Sequence, residues 1–297
     1  MVLGIGYVLS FRAYTQNSMT ASAYFVTSTT SKEIRDDYHS SSRGKQFSVL
    51  IVPGHEPDFG GTEYGSIKER EIVLMITDEL EKILKEDKNI TTHRTRDNKG
   101  WTKTFEKYFK DNYEDIVAWS NVNKKNTASL IKEGLISKVS KVDSIQHNSA
   151  SSEVATHLYG INKWSNENDI DLVLHLHIND MPRKNTSVAG PYVGFAIYVP
   201  EKQYSNAKAS KEIGESLKKS MEEVMGVSTM PKESAGIIES QQLIAMGSYN
   251  TSDAASLLIE YGYIYETQYT IEASQRKFAK LVAEQTYQGL RDFLRKK

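Results

Sequence analysis

Short runs of β-forming apolar residues alternate along this chain with longer amphipathic segments, and nothing else in the sequence narrows the fold as much. FSVLIVPG (47–54) is an apolar run stopped by Pro-Gly. It reads as a buried strand. In the segment that follows, SIKEREIVLMITDELEKILKED, Ile72, Ile76, Leu80 and Ile83 recur at spacings of three and four. That is one apolar face of a helix. ITTHRTRD (90–97), DIDLVLHLHIND (169–180), VGFAIYV (193–199) and ASLLIEYGYI (255–264) read as further strands. VATHLYGINKWSNEN (154–168), SNAKASKEIGESLKKSMEEVMG (205–226) and the C-terminal EASQRKFAKLVAEQTYQGLRDFLRKK read as helices. Such alternation implies an α/β fold: a mostly parallel twisted sheet flanked by helices on both faces.

Two regions stand apart from this pattern. Residues 10–44 are rich in Ser, Thr and Tyr without a stable period, so 1–44 is expected to be an arm or linker ahead of one domain over 45–297. Its first residues, MVLGIGYVLSF, are too short an apolar run for a membrane span. They read either as a buried strand or loose end, or as the remnant of an export signal or membrane anchor. The second region, about 98–150, is polar and aromatic, with Trp101, Phe105, Tyr108, Tyr113 and Trp119. It is expected to be a helical insertion, formed in pieces and packed beside the sheet edge.

A net charge of −1 over 297 residues announces no polyanionic partner, so nucleic acid is not expected. Without cysteine there is neither a disulfide nor a thiolate metal site, and any metal must sit on His, Asp or Glu. In open α/β sheets ligands bind at the carboxyl ends of strands. His55 follows the first strand within LIVPGHEPDFGG, His177 ends LVLHLH, and Glu260 ends SLLI. Glu69 stands in the first turn of the helix after the His55 loop. Two imidazoles and a carboxylate can hold zinc with one position open, and a further carboxylate can move protons. Each residue also has a plain structural reading. His55 fits an incidental turn residue, Glu69 the capping-box partner of Ser66, and His177 a hydrogen-bonded strand end. Glu260 is harder to dismiss, because a lone charge buried after Leu-Leu-Ile is costly. Gly54 is expected to supply the sharp turn that lets the His55 ring face the metal.

VPGHEPDFGG followed by KEREIVLMI resembles the opening of the zinc-dependent N-acetylmuramoyl-L-alanine amidases, amidase type 3. HLHIN stands where that family has Ser-Ile-His-x-Asn, and LIEYGYI where it has Leu-x-Glu-x-Gly-Phe. The order holds from about 47 to 294. The resemblance implies one Zn2+ per chain on His55, Glu69 and His177, with Glu260 as the catalytic carboxylate. It implies cleavage of the amide between N-acetylmuramic acid and L-alanine in peptidoglycan or muropeptides, by an exported, cell-envelope autolysin. Arg96 and Asn179 are the expected substrate contacts; Arg94 or Arg96 would meet a stem-peptide carboxylate if it is not simply surface charge.

There are departures. Asp-Pro-Gly-His-Gly-Gly reads Val52-Pro53-Gly54-His55-Glu56-Pro57 here, and His175 replaces the Ser before the second His. His175 shares the strand face of His177; it either supports the site from behind or competes as a ligand. About 80 residues separate Arg96 from His177, which makes the insertion a candidate wall or lid, or else a scaffold. His-Glu-Pro-Asp also mimics zinc carboxypeptidases, so one alternative is a peptidase using His55, Asp58 and a later His. Another is an inactive peptidoglycan-binding homologue.

Overall fold

The computed structural model describes residues 30–40, 46–139, 145, 149–180, 183 and 185–296. The MVLGIGYVLSF segment, with its possible export or tether role, lies outside the described residues. The first element is a helix, α1 (Ser31–His39), inside the stretch read from sequence as a loose arm. Thr30 and Glu33 form a reciprocal capping box, and Ile34 and Tyr38, one turn apart, are both buried. Two apolar anchors in so short a helix are too few to register as a period.

The chain continues through β1 (Phe47–Pro53), a hairpin of β2 (Glu63–Tyr64) and β3 (Ile67–Lys68), and α2 (Glu69–Glu86). Next come β4 (Ile90–Arg94), a second hairpin of β5 (Arg96–Asp97) and β6 (Gly100–Trp101), α3 (Lys103–Lys132) and α4 (Ser152–Glu167). The C-terminal half holds β7 (Leu172–Asn179), β8 (Ala196–Pro200), α5 (Ala207–Met221), β9 (Ile237–Ser240), β10 (Ala255–Tyr263), α6 (Thr267–Thr270) and α7 (Glu272–Leu294). The six-stranded sheet has the order β4-β1-β7-β10-β8-β9. All its pairs are parallel except β8 with β10. That reversal follows from the connection: no described helix joins β7 to β8, and only a crossover element returns a strand parallel.

Side-chain alternation divides the core. Val49 and Ile51 of β1, with Leu172, Leu174 and Leu176 of β7, face α1, α2, α5 and α7. Leu50, Val52 and Val173 face the other way, where Phe105, Phe109 and Ile116 of α3 join Tyr159 and Trp164 of α4. The insertion therefore differs from expectation in two respects. Among its described residues the helical part is one continuous helix of 30 residues, and with α4 it roofs the face of β1 and β7 rather than lining the sheet edge. The physical reason is that this face of the two central strands carries apolar side chains, and only a helix layer can keep them dry.

Ile34 is fully buried against the main core. Ile34→Ala should therefore cost about 2–4 kcal/mol of stability by urea unfolding; a loss below about 0.5 kcal/mol would show that α1 is not part of the folded unit.

Candidate active site

Strand β1 ends at Pro53, and Gly54 N still donates to Leu176 O at 2.9 Å, so the loop leaves the sheet beside β7. His55 then adopts φ +70°, a left-handed conformation that costs a non-glycine residue roughly 1 kcal/mol or more. The turn expected at Gly54 is thus made by His55 itself. Gly54 is needed for space: a Cβ there would stand 2.5 Å from His177 Cε1. Gly61, at φ +83°, likewise makes room, since its Cβ would stand 2.9 Å from His55 Cδ2.

Arg96 holds this loop. Its Nε donates to Pro53 O at 3.3 Å, and its Nη2 to Gly54 O at 2.5 Å and Arg70 O at 3.2 Å. The side chain is 1% exposed. Burial, and after it the neighbouring Arg94 charge, brings its pKa down to about 10, which still leaves it cationic at neutral pH. Buried, and with Nε and Nη2 on backbone carbonyls, Arg96 is placed as a support of the loop where the sequence suggested a substrate contact. Arg94 is also occupied, by Asp78 at 2.8 Å and Glu81 at 3.2 Å.

Glu69 is the first residue of α2, and Ser66 sits before β3 without capping the helix. The carboxylate is used elsewhere. Oε2 accepts from Thr62 N and Oε1 from Ile178 N, each at 2.9 Å. His177 Nδ1 lies 3.0 Å from Oε1, and His55 Nε2 lies 2.8 Å from Oε2. Burial by itself would raise the Glu69 pKa; the His55 charge and the hydrogen bonds from the two imidazoles outweigh it and hold the group well below the usual carboxylate range. Donor atoms of His55, Glu69 and His177 all lie within 4.8 Å of one another. His55 Nε2 is buried, with the Glu69 carboxylate as its close neighbour. Two imidazole nitrogens and one carboxylate gathered this closely are a donor set that fits a zinc ion. Asp58, needed by the peptidase alternative, is exposed and outside the cluster.

Glu260 is in register with His177 across the β7–β10 pair, so the two side chains stand side by side on one face. Its Oε2 is buried without a partner. Burial first, then the charges of Glu69 and Glu233, pushes its pKa well above the usual range. His175 occupies the same face one step back along β7 and is outside the ligand cluster. It is 1% exposed, and burial, then the His177 charge, lowers its pKa to about 3 although the Ala245 backbone hydrogen-bonds it. Asn179 is partly buried, with Nδ2 on Glu233.

Sequence reading missed two groups. Glu56, 6% exposed, has both carboxylate oxygens 3.1 Å from His157 Nδ1, and Phe109 stacks on that imidazole at 4.4 Å with Trp101 edge-on. This pair ties the roof helices to the His55 loop, so the insertion borders the loop at its N-terminal end. Its only signal in the sequence is the acidic residue directly after His55. The other group is Glu233, enclosed among hydroxyls between α5 and β9, which no sequence pattern marks.

The family model for N-acetylmuramoyl-L-alanine amidase matches residues 49–292. The chain belongs to this amidase family. Solved structures with similar folds include an N-acetylmuramoyl-L-alanine amidase from Clostridium difficile 630, 17% identical, with TM-score 0.52, covering 85% of this chain and 98% of that one. The CwlD amidase from Clostridioides difficile, solved in complex with the GerS lipoprotein, is 13% identical, with TM-score 0.54, covering 84% and 98%. Ami1 from Mycobacterium smegmatis is 12% identical, with TM-score 0.51, covering 84% and 96%. At these identities the likeness is one of fold, a mixed, mostly parallel sheet flanked by helices. No curated protein sequence matches this amidase. Among the described residues no helix is long and apolar enough to cross a membrane.

His175 gives the amidase a pH signature. Held at about 3 in the fold against 6.5 in the unfolded chain, it takes up a proton on unfolding at intermediate pH. Its stability contribution is complete above pH 6.5 and is lost as pH falls towards 3. In metal-free protein, His175→Ser should lose about 2 kcal/mol less than wild type between pH 7.5 and 5. Parallel denaturant curves for the two proteins would contradict the buried neutral imidazole.

Proposed function

We propose that this chain is a zinc-dependent hydrolase of the amide joining the lactyl group of N-acetylmuramic acid to L-alanine, in peptidoglycan or soluble muropeptides. The observation that carries the reading is Glu260, with its buried, unpartnered Oε2, in register with His177 of the ligand cluster. His55 and His177 through ring nitrogens, and Glu69 through its carboxylate, would hold one Zn2+ per chain. Zinc, when bound, supplies Lewis-acid chemistry, polarising a carbonyl and acidifying water. Glu260 takes the proton of the attacking water and returns it to the departing L-alanine nitrogen. The burial and the neighbouring Glu69 and Glu233 charges that raise its pKa suit a group that must both accept and give back a proton. Arg96 serves the reaction indirectly by holding the His55 loop through the carbonyls of Pro53 and Gly54. A wall substrate goes with an exported protein of the cell envelope, secreted or tethered at its N-terminus, and with an autolytic role.

Glu260→Gln should retain zinc and bind muropeptide while losing turnover by roughly 10²–10⁴. Mass analysis of the wild-type products should show an intact stem peptide with a free L-alanine amine. Release of a C-terminal amino acid instead would favour the peptidase alternative, and near-normal turnover by Glu260→Gln would remove the residue from the mechanism.

A further inference from the structure

Glu233 lies in the turn between α5 and β9 and is 1% exposed. Tyr198 Oη and Asn179 Nδ2 donate to its Oε1 at 2.5 and 2.9 Å. Ser228 Oγ, Tyr263 Oη and Asn179 Nδ2 donate to its Oε2 at 2.5, 2.8 and 3.0 Å. Ser228 Oγ also accepts from Met230 N at 3.2 Å, which leaves its hydrogen for the carboxylate. Every one of these donors is a neutral amide or hydroxyl. A buried carboxylate is tolerated only when its oxygens are so satisfied.

Three of the donor residues stand on neighbouring strands of the sheet. Asn179 ends β7 two residues after His177, on the same face. Tyr198 belongs to β8, and Tyr263 ends β10 three residues after Glu260. The orientation of Asn179 is therefore determined by chemistry. A carboxylate accepts and cannot donate, so the amide turns its nitrogen to Glu233. The carbonyl oxygen of a planar amide then faces away, and Asn179 Oδ1 has no hydrogen bond to a described residue. Asn179 itself is only partly buried.

We propose that Glu233 is a positioning residue that fixes Asn179 with its carbonyl oxygen turned away from the carboxylate, beside His177, so that the site accepts a hydrogen bond from an amide N–H of the substrate. The inference rests on the muramoyl-amide reading, in which the substrate carries acetamido and peptide N–H groups close to the scissile bond. A rotating Asn179 would present donor and acceptor alternately and discriminate poorly. Held by Glu233, it keeps its acceptor oxygen in one place.

The test measures muropeptide affinity by calorimetry in the zinc-loaded Glu260→Gln protein, with zinc content and melting temperature followed in parallel. Adding Glu233→Gln frees Asn179 to flip and should weaken binding about tenfold, the worth of one well-made hydrogen bond, with zinc stoichiometry unchanged. Asn179→Asp alone sets two carboxylates against each other and should also weaken binding. Glu233→Gln combined with Asn179→Asp reverses the pair: the new amide donates to the new carboxylate, whose second oxygen is again an acceptor. Affinity should return to within about threefold of the parent, a recovery that reinstating one hydrogen-bonded pair provides. Unchanged affinity in Glu233→Gln overturns the proposal, as does a double variant no tighter than either single one. A loss of affinity that only follows falling melting temperature and zinc content assigns Glu233 to scaffolding and also overturns it. If Glu233→Gln does not fold, Asn179→Asp against the double variant decides by the same criterion. Failure of the parent to bind muropeptide overturns the functional reading itself, together with this inference, and is distinct from a parent that binds normally and is insensitive at 233.

Discussion

A buried guanidinium holds a strained histidine in place, and the rest of the site depends on it. His55 stands at φ +70°, which an unsupported loop would relax. Arg96 fastens the two carbonyls before it, those of Pro53 and Gly54, and reaches across to Arg70 at the start of α2. Glu56, directly after it, is held by His157 of α4. The strain is thus bracketed from both sides, and the imidazole is delivered to the end of β7 instead of turning to solvent. Removing the Arg96 charge would leave carbonyls without donors in a buried place, a larger penalty than the strain it restrains.

The same economy governs Glu69. At the first turn of α2 the unpaired backbone N–H groups and the helix dipole favour a negative charge. Here the carboxylate is instead drawn back to Thr62 N and Ile178 N, which fixes it between two imidazoles. His55, Glu69 and His177, on three different elements, meet because β1 and β7 are neighbours and α2 starts beside both. The missing side chains at Gly54 and Gly61 leave the volume in which the two rings meet, their centroids 4.8 Å apart. Glu260 then needs no special loop, since sheet register alone places it beside His177.

The parts of this arrangement visible in the sequence are those that repeat or that break an apolar run. The crossover pattern of helices and strands fixed the fold class, and a glutamate after Leu-Leu-Ile was conspicuous as a charge in an apolar strand. What escaped was set by tertiary partners. Arg96 looks like surface charge because nothing local says that its fork will find the carbonyls of Pro53 and Gly54. Gly54 looks like a turn glycine because the ring it must clear lies more than a hundred residues away. α1 carries too few apolar residues to show a period, and α3 looked broken because its buried stripe of Phe105, Phe109 and Ile116 is diluted by polar residues on its other faces. Glu233 sits in no motif, and its importance comes wholly from the hydroxyls and the amide that three strands and a turn bring to it.

The central claim is that His55, Glu69 and His177 form one zinc site. A zinc-edge anomalous difference map from crystals of the intact chain, paired with metal analysis, tests it most directly. The account predicts one zinc per chain, in contact with a ring nitrogen of each of the two histidines and with the Glu69 carboxylate. A peak at Asp58 or His175 in place of that site, or a chain that cleaves muropeptides at full rate after its zinc has been removed, would contradict it.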